Sequence, residues 1–237
     1  MICIPVLEIS LEAAIEAMKE AALEGDVIEL RLDAMRSPDV EALLAARPNK
    51  PLIATVRSAD EGGVWPFEPQ QKVELLAKAA ELGADYVDIE LRQGPEIIKQ
   101  LAERKGRASL IVSWHYLLDT PDLRTLRRRL REAFAAGADV CKLVTLARTS
   151  EDNRRLLQVV DEASRRGQKV IGFCTGDLGR FSRVATLFMG GLLTFAYLRP
   201  SVAVAPGMLS VEEMKRYLAE FHYEQPGRPC SSCAGRQ

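Results

Sequence analysis

The 237-residue sequence predicts an α/β protein with a single (β/α)8 TIM-barrel domain over residues 1–224. Three observations predict this fold class. Short β-rich runs alternate eight times with amphipathic segments, the connections between them are short, and eight such units in about 225 residues match the usual size of a barrel. Strict alternation also predicts parallel strands with right-handed crossovers.

Eight β-rich runs are the predicted strands, and helical patterns fill the gaps between them. The segment after the fifth strand shows the helical pattern, with Leu123, Leu126, Leu130 and Phe134 on one face. In chain order the predicted strands are Ile2–Leu7, Val27–Asp33, Pro51–Arg57, Asp85–Leu91, Ala108–Trp114, Asp139–Thr145, Gln168–Cys174 and Leu192–Leu198.

Residues that start and stop helices agree with these boundaries. Ser37 and Thr120 each precede a proline, a pattern that predicts an N-cap followed by proline at the first helical position. Ser210 and Glu213 have the spacing of a capping box. Four glycines follow a helical run directly before a strand, where a left-handed C′ residue is expected: Gly25, Gly83, Gly137 and Gly167.

A doubly wound open sheet is the alternative fold. That fold usually has a glycine-rich phosphate-binding turn after its first strand. The sequence Leu7-Glu8-Ile9-Ser10 contains no such turn, which favours the barrel.

Composition and charge exclude several classes of protein. The formal net charge is −1, so no overall charge draws the chain to nucleic acid or to an anionic membrane. No apolar stretch approaches the roughly 18 residues of a membrane helix, and the N-terminus lacks the basic start of a signal peptide. An odd number of cysteines suits a reducing compartment, so we expect a soluble, cytoplasmic protein. Residues 225–237 are rich in Pro, Gly and Ser and are predicted to form a disordered tail, in which Cys230 and Cys233 are only a weak metal or redox motif.

Charged residues occur at strand positions that should face the inside of the barrel. Glu29, Arg31 and Asp33 are spaced by two, so they share one face of the second strand. Asp88 and Glu90 repeat this spacing in the fourth strand. We expect Asp88 and Glu90 to belong to a buried ion network rather than to contact a substrate.

Lys142 and His115 are the candidate reactive groups. Lys142 lies between Cys141 and Leu143 in an apolar strand, where burial of a charged amine is costly. Such a lysine is either a nucleophile or the partner of an inward carboxylate, and the residues alone leave both open. His115 ends the fifth strand, a position suited to proton transfer. With one histidine at the rim, no metal site is expected.

Three arginines near the C-terminal ends of strands predict a cationic mouth. Arg57 ends the third strand, Arg183 follows the seventh, and Arg31 lies in the second. Guanidinium groups match carboxylates in shape and charge, so the pocket suits a small anionic, hydroxylated substrate.

An ordered series of motifs resembles the type I 3-dehydroquinate dehydratase family. The motifs come in the family's order from the second strand to the last helix. They are Glu29-Leu-Arg-Leu-Asp33, Arg57-Ser-Ala-Asp-Glu-Gly-Gly63, Asp85-Tyr-Val-Asp-Ile-Glu90, Ser113-Trp-His115 with Thr120-Pro121, Asp139-Val-Cys-Lys142, Gly179-Arg-Phe-Ser-Arg183 and Ala205-Pro-Gly207.

The resemblance implies a hydro-lyase that removes water from 3-dehydroquinate to form 3-dehydroshikimate, the third step of the shikimate pathway leading to aromatic amino acids. It implies that Lys142 forms a Schiff base with the substrate, that His115 carries protons, and that Glu61 orients His115. No metal or organic cofactor is needed, because the lysine supplies the electron sink. The family also suggests a homodimer. The residues implied to bind substrate are Glu29, Arg31, Arg57, Arg183, Phe195 and Met208.

The departures from the family pattern lie mainly in the loop after the eighth strand. Met208 stands where the family usually has glutamine, and Val204 where it has Ser or Thr. Thr175 replaces the family's methionine before a glycine. Two alternatives therefore stay open: a diverged non-catalytic homologue that binds a quinate- or shikimate-like ligand, and a Schiff-base aldolase.

Overall fold

Eight parallel strands surround the centre of the protein in a computed structural model that describes residues 1–200 and 205–223. Both ends of every strand lie within two residues of the predicted ends, so the predicted order of elements is confirmed. The strands are β1 Ile2–Val6, β2 Val27–Arg31, β3 Leu52–Thr55, β4 Tyr86–Glu90, β5 Ser109–Tyr116, β6 Val140–Leu146, β7 Lys169–Thr175 and β8 Thr194–Tyr197.

In the described residues, eight α-helices lie between or after the strands and cover the outside of the sheet. Their apolar faces pack inward; in the fifth helix the buried residues are Leu126, Leu130 and Ala133, while the arginines face outward. No helix in the described part of the chain is long and apolar enough to cross a membrane. The helices are α1 Leu11–Glu24, α2 Val40–Ala45, α3 Pro69–Glu81, α4 Pro95–Arg104, α5 Leu123–Ala135, α6 Ser150–Arg165, α7 Arg180–Phe188 and α8 Val211–Glu220.

The sheet curls so that its ends approach each other between β7 and β8. The strand order is β7-β6-β5-β4-β3-β2-β1-β8, and every neighbouring pair is parallel. Between β7 and β8 a backbone hydrogen bond of 2.8 Å joins the N–H of Leu192 to the carbonyl of Val170. A short ninth strand, β9 Leu209–Ser210, was not predicted; it pairs with Ala196 and Tyr197 of β8.

Two predicted helix caps are wrong, because an aspartate two residues further on caps each helix. Asp39 accepts a hydrogen bond from the first turn of α2, and Asp122 does the same for α5, so Ser37 and Thr120 lie outside the helices. A carboxylate at the N-cap also interacts favourably with the helix dipole. The predicted capping box at Ser210 is confirmed.

The predicted left-handed glycines are confirmed at three of four positions. Gly83, Gly137 and Gly167 have φ of 98°, 102° and 71°. Gly25 has φ −105°, a backbone conformation that any residue can adopt. Glycine is required there for space: a Cβ atom would lie 2.8 Å from Cδ1 of Ile4.

The barrel interior changes character along its axis. Its N-terminal half is filled by an apolar cluster that includes Cys3, Val27 and Ile53. Outward-facing side chains of the same strands, such as Ile28 and Leu30, pack in the second cluster under the helices. Towards the C-terminal ends of the strands the inward side chains become polar and charged, which is where the sequence predicted the site.

Candidate active site

A cavity of about 90 Å³ opens at the C-terminal ends of the strands. This is the end at which barrel enzymes place their reactive groups. All nine residues selected from the sequence line the cavity: Glu29, Arg31, Arg57, Glu61, His115, Lys142, Arg183, Phe195 and Met208.

Lys142 projects from β6 into the floor of this cavity and is almost completely buried. Its Nζ donates hydrogen bonds to Oε1 of Glu29 at 3.2 Å and to Oδ2 of Asp88 at 3.1 Å. The same nitrogen lies 4.5 Å from the ring centroid of Phe195. Lys142 is therefore paired with inward carboxylates, which was one of the two interpretations of the sequence. Its amine also borders the cavity.

Glu61 and His115 form a hydrogen-bonded pair at the rim. Oε2 of Glu61 lies 2.8 Å from Nδ1 of His115 and accepts the backbone N–H of the same residue at 3.1 Å. Since the backbone N–H can only donate, this oxygen is an acceptor, and a proton on Nδ1 leaves the Nε2 lone pair available.

Burial sets the protonation of this pair. Burial, with Arg57 and Lys142 close by, holds the pKa of His115 well below its usual value, so the imidazole is neutral at pH 7. Burial, assisted by the charge of Glu90, raises the pKa of Glu61 to about 7 against the opposing effect of Arg57. A neutral, oriented imidazole is a group that can accept a proton.

Asp88 and Arg57 form a buried ion network beneath the reactive groups. Asp88 accepts hydrogen bonds from Nη2 of Arg57 at 2.8 Å and from Oγ of Ser113 at 2.6 Å, besides that from Lys142. Although burial favours the neutral acid, Arg57 and Lys142 hold the pKa of Asp88 well below its usual range. The expectation that Asp88 belongs to an internal network agrees with these contacts.

Asp33 connects the end of β2 to the loop that carries Glu61. It accepts two hydrogen bonds from Arg31, at 2.7 and 2.6 Å, and others from the backbone N–H groups of Arg57 and Val64. Because Arg31 and Arg57 are both paired with carboxylates, the mouth is less cationic than the sequence predicted. Asp88, the partner of Arg57, is 31 residues away, so this pairing could not be predicted from the position of Arg57 alone.

Among the three arginines that line the cavity, Arg183, in the first turn of α7, is the one without a carboxylate partner in the described part of the chain. Its side chain is fully buried, and Nε, Nη1 and Nη2 have no hydrogen-bond partner there. The guanidinium carbon lies 4.5 Å from the ring centroid of Phe173. Burial, with a smaller contribution from Arg180, lowers the pKa of Arg183 to about 10, so it is charged at pH 7.

Apolar side chains form the wall opposite the charged groups. Phe195 and Phe173 pack with a centroid distance of 5.8 Å, and Met208 is buried in the same cluster. Gly207, which precedes Met208, has φ 73°, and a Cβ there would lie 2.1 Å from the carbonyl oxygen of Gly176. Val204, the other departure in this loop, lies outside the described residues, as does the predicted tail at 225–237.

Sequence reasoning missed five residues of the cavity. Val144 lies two positions after Lys142 in β6, so the period of two could have identified it as inward-facing. Thr175 was noted only as a departure from a motif. Phe173 is inward-facing by the same period in β7, Ala205 was noted only as part of a motif, and Leu117 gives no chemical signal. The five are Leu117, Val144, Phe173, Thr175 and Ala205. Within residues 1–200 and 205–223 no group of three His, Cys, Asp or Glu side chains is arranged to hold a metal ion.

Fold and site together define an α/β-barrel enzyme with a buried lysine and a histidine–glutamate pair at the C-terminal rim. Comparison with known families identifies the particular one. The model of the family described as type I 3-dehydroquinase matches residues 2–225, and the chain belongs to this family.

Relatives and solved structures agree with the family. A 3-dehydroquinate dehydratase of Methanosarcina barkeri is 35% identical over 224 residues, which cover 90% of this chain and 93% of the relative. The crystal structure of 3-dehydroquinate dehydratase from Geobacillus kaustophilus superposes with a TM-score of 0.86 at 29% identity, covering 94% of this chain and 92% of the other. A type I 3-dehydroquinate dehydratase of Clostridium difficile with covalent modified comenic acid has a TM-score of 0.83 at 26% identity, covering 93% and 91%.

Proposed function

We propose that this chain dehydrates 3-dehydroquinate to 3-dehydroshikimate through a Schiff base on Lys142, the third step of the shikimate pathway. The observation that carries the proposal is the convergence of three groups on one cavity in a member of this family. They are the Lys142 amine, the His115–Glu61 pair and the unpaired guanidinium of Arg183.

Lys142 is the nucleophile in this mechanism. Nζ gives one proton to Oε1 of Glu29, and the free amine attacks the ketone carbon. The Glu29 carboxyl returns this proton to the hydroxyl of the carbinolamine, which leaves as water and gives a protonated imine. The two carboxylates that accept hydrogen bonds from Lys142, Glu29 and Asp88, then face a positive charge at the same place. Because they are fixed before the reaction, they stabilise the iminium without rearrangement.

His115 moves the protons. The iminium draws electrons from the adjacent carbon, whose proton is taken by Nε2 of the neutral imidazole. Oε2 of Glu61, 2.8 Å from Nδ1, accepts a hydrogen bond from the Nδ1–H group and stabilises the imidazolium that results. The imidazolium returns its proton to the departing hydroxyl, which leaves as water. Hydrolysis of the iminium then releases the unsaturated ketone and regenerates Lys142.

The remaining cavity residues hold the substrate. Arg183 pairs with its carboxylate, since a buried guanidinium with three unpaired nitrogens has the fork geometry that a carboxylate fits. Glu29, Arg31 and Arg57 contact the hydroxyl groups of the ring. Phe195 packs against the ring face, and Met208 closes the apolar side of the cavity.

The test is the appearance of enone absorbance when purified protein meets 3-dehydroquinate. Lys142→Ala is the matched variant, and we expect it to lose turnover while remaining folded. Release of a smaller carbonyl fragment would instead identify an aldolase. Ligand-induced stabilisation of the wild-type protein without turnover would identify a binding protein and overturn the proposal.

We also propose a cytoplasmic homodimer, which the resemblance to the family suggests. Cys3, Cys141 and Cys174 are buried free thiols, which suits a reducing compartment. Phe181 and Phe221 are 66% and 61% exposed near α7 and α8, which suits contact with a second copy. Sedimentation equilibrium should give twice the 26.2 kDa chain mass, and the chain mass itself would contradict the dimer.

A further inference from the structure

Lys72 is a fully buried lysine outside the cavity. It belongs to α3, on the outer layer of the barrel, yet only 1% of its surface is exposed. Its Nζ donates to Oε2 of Glu90 at 3.1 Å and to Oγ of Ser58. Burial of an ammonium group is costly, so a lysine at this position needs these partners.

Ser58 is the residue through which this pair reaches the site. Its backbone N–H donates to Oε1 of Glu90 at 2.6 Å. Its carbonyl oxygen accepts the N–H groups of Glu61 at 3.0 Å and of Gly63 at 2.8 Å, closing the turn that carries Glu61. A displacement of Ser58 therefore displaces the carboxylate that orients His115.

Glu90 also acts on Glu61 through its charge. It is fully buried, and its negative charge contributes to the raised pKa of Glu61. The ammonium of Lys72 lies on the far carboxylate oxygen and offsets part of that charge. Glu90 thus has one cation on each side, since Nη1 of Arg57 lies 3.5 Å from its Oε1.

We propose that Lys72 is a positioning residue for the Glu61–His115 pair, acting through Glu90 and Ser58. It anchors the turn by its hydrogen bonds and balances the charge of Glu90 beside Glu61. The inference rests on the proposed function for its consequence in catalysis, but its effect on the pair exists without substrate.

The charged groups around the pair come from four strand ends and one helix. Arg57 lies in the same segment as Glu61, Asp88 and Glu90 come from β4, and Arg31 and Lys142 approach from β2 and β6. Among these groups Lys72 contacts only Glu90. Its removal should leave the other charges in place, so a shift in titration reports on Glu90.

The experiment compares Lys72→Met, Glu90→Gln and the double variant by NMR titration of the His115 ring. The chain has two histidines, so His115 is identified by comparison with a His222→Asn protein. Lys72→Met removes one of the two cations beside Glu90, so the negative charge of Glu90 is less fully offset and the apparent pKa of the pair should rise by about one pH unit. Glu90→Gln removes that charge and should lower it by a similar amount, while the double variant returns close to wild type.

If the role of Lys72 were purely structural, the apparent pKa of the pair would shift in the same direction in both single variants or in neither. That result would overturn the proposal. Lys78→Met is the control, because Lys78 lies on the same helix but is exposed and paired with Glu41. If a single variant does not fold, the double variant decides, since it leaves no unpaired buried charge. Its kcat/KM should fall about tenfold or more through loss of the Ser58 anchor, and a wild-type value would overturn the proposal.

The two proposals fail in different ways. A wild-type protein that does not dehydrate 3-dehydroquinate refutes the proposed function and leaves the titrations as the test of Lys72. If the wild-type protein dehydrates 3-dehydroquinate but the Lys72 and Glu90 variants titrate like wild type, only the proposed role of Lys72 is refuted.

Discussion

Replacement of Arg183 by methionine should stabilise the protein and weaken its activity. The side chain is fully buried, and its three nitrogens are unpaired among the described residues. A buried, unpaired charge costs stability in the free protein, whereas the same charge gains a partner when an anionic substrate binds. The two effects of Arg183→Met therefore have opposite signs.

The magnitude follows from the pKa of Arg183, which burial lowers from its ordinary value to about 10. At about 1.4 kcal/mol for each pKa unit, the charged form is destabilised by about 3 kcal/mol. Because the pKa is lower in the folded state than in the unfolded state, this cost is fully present at pH 7 and is relieved only above about pH 10. Loss of the favourable contact with Phe173 offsets about 1 kcal/mol of this stabilisation. The free energy of unfolding should therefore rise by about 2 kcal/mol, which corresponds to about 4–8 °C in Tm.

Thermal unfolding and steady-state kinetics measure the two effects. Loss of two charge-assisted hydrogen bonds should lower kcat/KM by about 100-fold or more. Arg180→Met is the matched control, because Arg180 lies on the same helix, is partly exposed and pairs with Glu213 at 2.9 Å. A destabilised Arg183→Met protein with wild-type kinetics would show that Arg183 is a structural residue and refute the reasoning.

Three further predictions concern the rest of the site. Because the pKa of Glu61 is raised to about 7, activity that needs its carboxylate should increase as the pH rises through 7. Glu61→Gln should abolish this inflection and lower kcat about 10–100-fold. If the inflection persists in this variant, it belongs to another group. Met208→Gln supplies amide hydrogen bonds that methionine cannot make and should lower KM about fivefold relative to Met208→Leu; an unchanged or higher KM would contradict this. Gly207→Ala forces a Cβ against the carbonyl oxygen of Gly176 and should raise KM in the same assay, with normal kinetics as the contradicting result.

The barrel and its inward faces could be predicted because they depend on local pattern. Alternation of side chains along β2 distinguished Glu29 and Arg31 from Ile28 and Leu30, and the structure separates them into the cavity and the outer core. Polar residues at strand ends were informative because an inward position at that end of a barrel is expensive for a charge unless it has a partner or a function.

Partners distant in the sequence could not be predicted. Lys72 looks like a surface residue of an amphipathic helix, and its burial follows only from the approach of Glu90, 18 residues away. The ion pair of Arg57 likewise depends on Asp88, 31 residues away on the next strand. The caps at Asp39 and Asp122 were missed because Ser37-Pro38 and Thr120-Pro121 match another common helix start, an N-cap residue followed by proline.

The central claim is that Lys142 forms a covalent imine with the substrate. Borohydride reduction of the protein in the presence of 3-dehydroquinate, followed by mass spectrometry of its peptides, tests this most directly. We expect one reduced adduct on the peptide that contains Lys142 and none on Lys142→Ala. An adduct on another lysine, or turnover by Lys142→Ala without an adduct, would contradict the mechanism.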